Sequence, residues 1–197
     1  MIRRTLTAEE FDNTRFELFD GGQWAELIAG EAIALHPPAP EHGPTVLNIS
    51  KALAEYQNIK REGYACFELG LIVKREPDTV LAPAISYFVT GDRWEELDKT
   101  VTETRPALIV EVVSTPDRRR NFVPRLKQYL NWGVVVVWEI DPEAKTVVVH
   151  RSNHAAERLT GRSTLMGSSD WNNSTIDHPI LQSFSVSLSD VFYEREW

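Results

Sequence analysis

The chain has 197 residues, 42% hydrophobic and 25% charged, which suits one globular domain with a substantial core and argues against disorder. A formal charge of −8 excludes a protein whose whole surface grips phosphate, so any nucleic-acid contact has to be local. The single cysteine, Cys66, excludes an internal disulfide, and the opening MIRRTLTAEEF lacks a secretory or membrane-spanning apolar run, so a cytoplasmic protein with no membrane partner is expected.

Thr7 followed by Glu10 makes the capping-box pattern of a short helix, TAEEF. Two strand-like pieces, RFELF and WAELIAGEAIAL, follow around the turn DGG, and Pro37, Pro38 and Pro40 then break the chain. Pro44 opens a long helix striped by Val46, Leu47, Ile49, Ala52, Leu53, Tyr56 and Ile59, which Gly63 ends. Residues 65–74 and 79–89 read as two antiparallel strands joined at REPD. In the second, Val80, Ala82, Ala84, Ser86 and Phe88 share a face, and Pro83 marks an edge or a bulge. GDRWEELDKTVTET is a polar connection.

The next stretch, PALIVEVVSTPDRRRNFVPRLKQYLNWGVVVVWEIDP, organises the chain. Residues 107–113 form a nearly continuous apolar strand interrupted by one acid, Glu111. An unpaired carboxylate buried there would cost several kcal/mol, so Glu111 needs a metal ion, a cation from the following helix, or an exposed strand end. Asn121 is the expected cap of that helix, Phe122, Val123, Leu126, Tyr129 and Leu130 its apolar face, and Gly133 its stop. Pro124 falls near the helix start, where its missing N–H is tolerated. VVVVWEI, the turn DPEAK and TVVVHR complete a parallel strand–helix–strand unit with an antiparallel return. Beyond it, ERLTGRSTL and ILQSFSV are expected strands, MGSSDWNNSTIDHP a loop, and SLSDVFYE a short helix. One domain, 1–197, is expected: an N-terminal helix and strands in 1–43, a core in 44–151, and C-terminal strands with a short helix in 152–197.

In order, ELIAGE, PPAPEH, TVLAPAISYF, PALIVEVVS, RLKQYLNWGV, VVWEIDPEAKTVVVHR and HPILQSFSVSLSDVF resemble the bacterial putative restriction endonuclease family, within the PD-(D/E)XK nuclease superfamily, over roughly residues 7–192. The resemblance implies an α+β fold with a restriction-endonuclease-like core, a mixed, mainly antiparallel sheet flanked by helices. It also implies Mg²⁺- or Mn²⁺-assisted phosphodiester hydrolysis of DNA, with two carboxylates holding the ion and a lysine at the attacking water. Glu111 matches the second carboxylate. Ala84 stands where the first Asp is expected, Val113 at the usual superfamily lysine, and Arg125 where this family carries its lysine.

Arg125 and Lys127 lie about 200° apart on a helical wheel, so either flank can face Glu111, and Lys127 is one candidate substitute for the lysine. Glu26 and Asp78, with Glu31 and Glu68 behind them, are substitute metal ligands, and His42 matches a histidine of the family pattern. The ordinary alternative for each acid is a solvated surface side chain. Arg118, Arg119, Arg120, Arg125 and Lys127 form the one dense basic stretch, either a local nucleic-acid surface or a solvated helix face. His150, His154 and His178 read as surface imidazoles, while Trp94, Trp132, Trp138 and Trp171 offer base stacking or, for Trp132 and Trp138, packing. Two functions follow: a nuclease with weakened metal binding and impaired hydrolysis, or a degenerate nuclease-fold module that binds nucleic acid or protein. A homo-oligomer is compatible with either. Ala84 and Glu111 are expected on neighbouring strands, facing one pocket.

Overall fold

Strand alternation and proline placement divide the chain between two main β-sheets. The computed structural model describes residues 5–89, 95–167 and 180–194. Trp94, Trp171, His178 and most of the MGSSDWNNSTIDHP segment lie outside them. Helix α1 (Ala8–Thr14) starts at Thr7, whose side chain and that of Glu10 form the reciprocal capping box. RFELF is not a strand. It forms two 3-10 turns, Arg15–Glu17 and Phe19–Gly22, with Asp20 and Gly21 in left-handed conformations that break extended pairing. WAELIAGEAIAL folds back on itself as β1 (Ala25–Ile28) and β2 (Glu31–Ala34), because Ala29 and Gly30 at positive φ close a two-residue hairpin.

The two long strands expected over 65–74 and 79–89 each break once, and the halves join different sheets. β3 (Tyr64–Phe67) gives way to β4 (Gly70–Lys74) at Glu68, which has φ 51°. β5 (Thr79–Leu81) gives way to β6 (Ile85–Phe88) around Pro83, which has no N–H to donate to a ladder. A five-stranded sheet runs β2–β1–β5–β4–β7, ending on the short β7 (Val101–Thr102) parallel to β4. A six-stranded sheet runs β11–β10–β9–β8–β6–β3, and its inner strands are β8 (Leu108–Val112) and β9 (Val136–Asp141), paired in parallel, with β6 and β10 (Thr146–Arg151) antiparallel beside them. ERLTGRSTL also splits, at Gly161, into β11 (Glu157–Thr160) on the large sheet and β12 (Thr164–Met166), which pairs with β13 (Ser185–Ser187). A short α4 (Leu188–Val191) follows, its cap Ser187 accepting from the Asp190 N–H. The architecture is α+β, mixed and mainly antiparallel.

Helix α2 (His42–Lys60) begins two residues before Pro44, and left-handed Arg61 rather than Gly63 ends it. Ile49, Leu53 and Tyr56 face one side of the large sheet, against Leu108, Val110, Val112 and Trp138, while Leu47 and Ile59 stay exposed. Helix α3 (Pro116–Trp132) also starts earlier than expected. Thr115, not Asn121, is its cap, because Pro116 at the first helical position has its φ already set. Pro124 therefore sits inside the helix and Val123 on its exposed side, and Gly133 closes it at φ 98° by donating to Tyr129 and Leu130. Phe122 and Tyr129 pack on the opposite side of the large sheet, against Ile109, Val113 and Val137, and meet Leu71 and Leu81 of the five-stranded sheet. That seam between the sheets holds Glu111.

Candidate functional site

Odd-numbered residues of β8 face α3, so Ile109 and Val113 enter its apolar layer and Glu111 is carried into the same layer. Helical spacing puts Arg125 and Tyr129, one turn apart, directly over it. From the other sheet, β1 contributes Glu26. These side chains form one buried group. Arg125 donates to Glu111 Oε1 from Nε at 3.0 Å and from Nη2 at 2.6 Å, and its Nη1 donates to Glu26 Oε2. The Tyr129 hydroxyl donates to the same Glu111 oxygen at 2.6 Å and accepts from Arg125 Nη2 at 3.2 Å. Glu26 Oε1 accepts the Ala82 N–H at 2.8 Å, which ties it to the break between β5 and β6.

Exposure of Glu26, Glu111 and Arg125 is 2%, 4% and 9%, so each charge depends on the others. Burial alone would lower the pKa of Arg125, but Glu111 and Glu26 outweigh it and hold the guanidinium well above its ordinary range. Burial, joined by the two carboxylates against the opposing pull of Arg125, keeps Tyr129 protonated far beyond a free phenol. Arg125, not Lys127, is thus the flank of α3 that meets Glu111. Lys127, the other candidate, is exposed and lies outside the Glu111 group.

The ladder between β6 and β8 ends at Ile85 paired with Val110, and Ala84, a bend just before β6, packs in the cluster on the α2 side of the sheet rather than in the α3 layer that holds Glu111, so the two do not face one pocket as expected. Ala84 lines a pocket with Glu26, His42, Glu68 and Arg118. Glu111 is not among the lining residues; it connects to the pocket through Arg125 and Glu26. Burial, reinforced by Arg118, lowers the His42 pKa to about 4, so its imidazole is neutral at neutral pH, with Nδ1 3.3 Å from the Ser114 hydroxyl. Glu68 is shifted upward by burial against the opposing effect of Arg118.

The other residues singled out by the sequence lie elsewhere. Asp78 accepts from the Ala8 and Glu76 N–H groups and from Arg75, capping α1 and its own turn, and none of these partners belongs to the Glu111 group. Glu31 is exposed on edge strand β2. Arg119 is committed to Asp141 and Glu143. Arg120 and Lys127 are exposed and seven residues apart, hence on one outer face of α3, whereas Arg118 turns into the pocket. His150 pairs with Glu139 and meets the Phe122 ring at a tilt. The apolar pattern of α3 places Tyr129 in the core and gives no role to its hydroxyl, although the four-residue spacing from Arg125 is the signal that could have found it. Ser114 carries no such signal. Among the described residues no group of three or more His, Cys, Asp or Glu side chains is arranged to hold a metal ion, and no helix is long and apolar enough to cross a membrane.

Comparison with known proteins bears on this geometry. The family Uma2, described as putative restriction endonuclease, matches residues 8–183. Among solved structures, the chain is similar to a putative nuclease belonging to DUF820 from Anabaena variabilis, with TM-score 0.70 at 20% identity, over 95% of this chain and 97% of that one. No curated protein matches in sequence.

Proposed function

This chain belongs to the putative restriction endonuclease family, and from that premise we propose that it is a PD-(D/E)XK-type protein, directed at nucleic acid, whose Mg²⁺-assisted phosphodiester hydrolysis is weak or lost. The observation that carries the reading is Ala84. In the family reading, this alanine, just before β6 on the strand beside β8, takes the place of the first metal carboxylate. Mg²⁺ gains affinity from clustered carboxylates and keeps most of its waters, so one carboxylate holds it poorly. The donor set does not fit the ion. Glu111 Oε1 already accepts three hydrogen bonds, and both oxygens of Glu26 are engaged, so these oxygens are occupied by protein donors. Arg125, protonated under all ordinary conditions, is no substitute for a lysine that yields a proton, though a guanidinium suits a phosphate.

The same features favour a second reading, a module that binds nucleic acid or protein without cutting. Arg120 and Lys127, exposed on one face of α3, are its contact residues, and such a module is cytoplasmic and compatible with a homo-oligomer. Nicking of supercoiled DNA with Mg²⁺ or Mn²⁺ tests the first reading. The unmodified protein is expected to leave the substrate intact; Glu111-dependent nicking would overturn the proposal.

A further inference from the structure

We propose that Arg125 is the resident cation of this centre, a guanidinium that neutralises two buried carboxylates, makes the centre independent of metal, and bolts the two sheets together. The inference deepens the reading above and rests on it for the view that a divalent ion would otherwise lie between these acids. Glu26 arrives from the five-stranded sheet and Glu111 from the six-stranded sheet, and one planar group bonds both. Neither carboxylate has another cation within ion-pairing distance among the described residues. Two carboxylates in so dry a place repel one another unless a cation lies between them. A guanidinium meets that need, because its donors fork toward two oxygens at once and it does not deprotonate. Tyr129 adds a neutral donor to Glu111 and thereby completes the shell around that oxygen.

The geometry makes a specific claim about ligand chemistry. With the Arg125 head removed, Glu26, Glu111 and the Tyr129 oxygen are left as a ready site for a small cation, a divalent metal ion or free guanidinium. With Arg125 present, that site is filled.

Melting temperatures of the unmodified protein, Arg125→Met, Glu111→Gln and the double variant test this, each with EDTA, with low-millimolar MnCl₂ and with low-millimolar guanidinium chloride. Arg125→Met keeps an apolar stem of similar length and should melt roughly 10 °C below the unmodified protein. Mn²⁺ or guanidinium should recover part of that loss while leaving the unmodified protein unmoved. Glu111→Gln should lower the melting temperature when Arg125 is present and raise it when Arg125 is Met, because the carboxylate is then an uncompensated charge. A contact of merely structural character would not reverse sign. If Arg125→Met fails to fold, a folded double variant supports the inference, and an unfolded one counts against it. Equal stabilisation of the unmodified protein by Mn²⁺, or the same Glu111→Gln effect in both backgrounds, would overturn it. Nicking by an unmodified protein whose melting ignores metal would instead defeat the hydrolysis reading alone.

Discussion

Arg125 reaches Glu26 across 99 residues of sequence, and through the same guanidinium Glu26 is joined to Glu111. The N-terminal segment, expected outside the 44–151 core, thereby supplies one of its two central acids.

Restoring the missing parts should restore metal binding. Ala84→Asp adds a carboxylate just before β6, the strand beside that of Glu111, and Arg125→Lys replaces a bridging guanidinium by a cation that can shed its proton when desolvated. Calorimetry with Mn²⁺ should show little heat for the unmodified protein and for Ala84→Asp, whose site Arg125 still fills, more for Arg125→Lys and most for the double variant. Nicking should appear in the double variant only. A double variant with no gain in Mn²⁺ affinity would show that Ala84 is not the vacated ligand position.

Tyr129→Phe isolates one hydrogen bond. The ring packs as before, but Glu111 loses its 2.6 Å donor, a bond to a charged acceptor whose removal should cost about 1.5–3 kcal/mol in denaturant unfolding. Val123→Ala, on the exposed side of the same helix, should stay within about 0.5 kcal/mol. Similar values for the two would mean that the hydroxyl does not anchor Glu111.

The His42 imidazole should titrate near pH 4 in the folded protein when followed by NMR, against an ordinary value of 6.5. The sign follows from linkage. The unfolded chain takes up its proton first, so the His42 contribution is present above pH 6.5 and is lost as the pH falls toward 4. His42→Gln should flatten the stability curve across that window. An imidazole titrating near 6.5 would place His42 in water, outside the pocket.

For nucleic acid, the slope of log affinity against log salt separates free cations from committed ones. Arg120→Ala and Lys127→Ala should each reduce it by about one unit if they touch phosphate. Arg119→Ala should leave it nearly unchanged, since Asp141 and Glu143 already balance that charge. A loss of slope on removing Arg119 alone would move the contact surface to the start of α3.

Local chemistry determined a good part of this molecule. The Thr7–Glu10 pair set a helix start, Gly133 set a helix stop, and an acid inside an apolar strand demanded a counter-charge whatever the fold around it. These rest on one or two residues and their immediate neighbours, and such rules survive transfer from peptide to protein. Tertiary structure decided the rest. Whether 65–74 and 79–89 ran straight or broke at Glu68 and Pro83 depended on the second sheet that captured β4 and β5. The choice of Arg125 over Lys127 depended on which side of α3 packed down, which an early start at Pro116 and a helical wheel leave equal. That Glu26 would share the guanidinium while Asp78 capped a distant helix depended on strand pairing across long separations, where burial of two charges is tolerated only once a third lies between them.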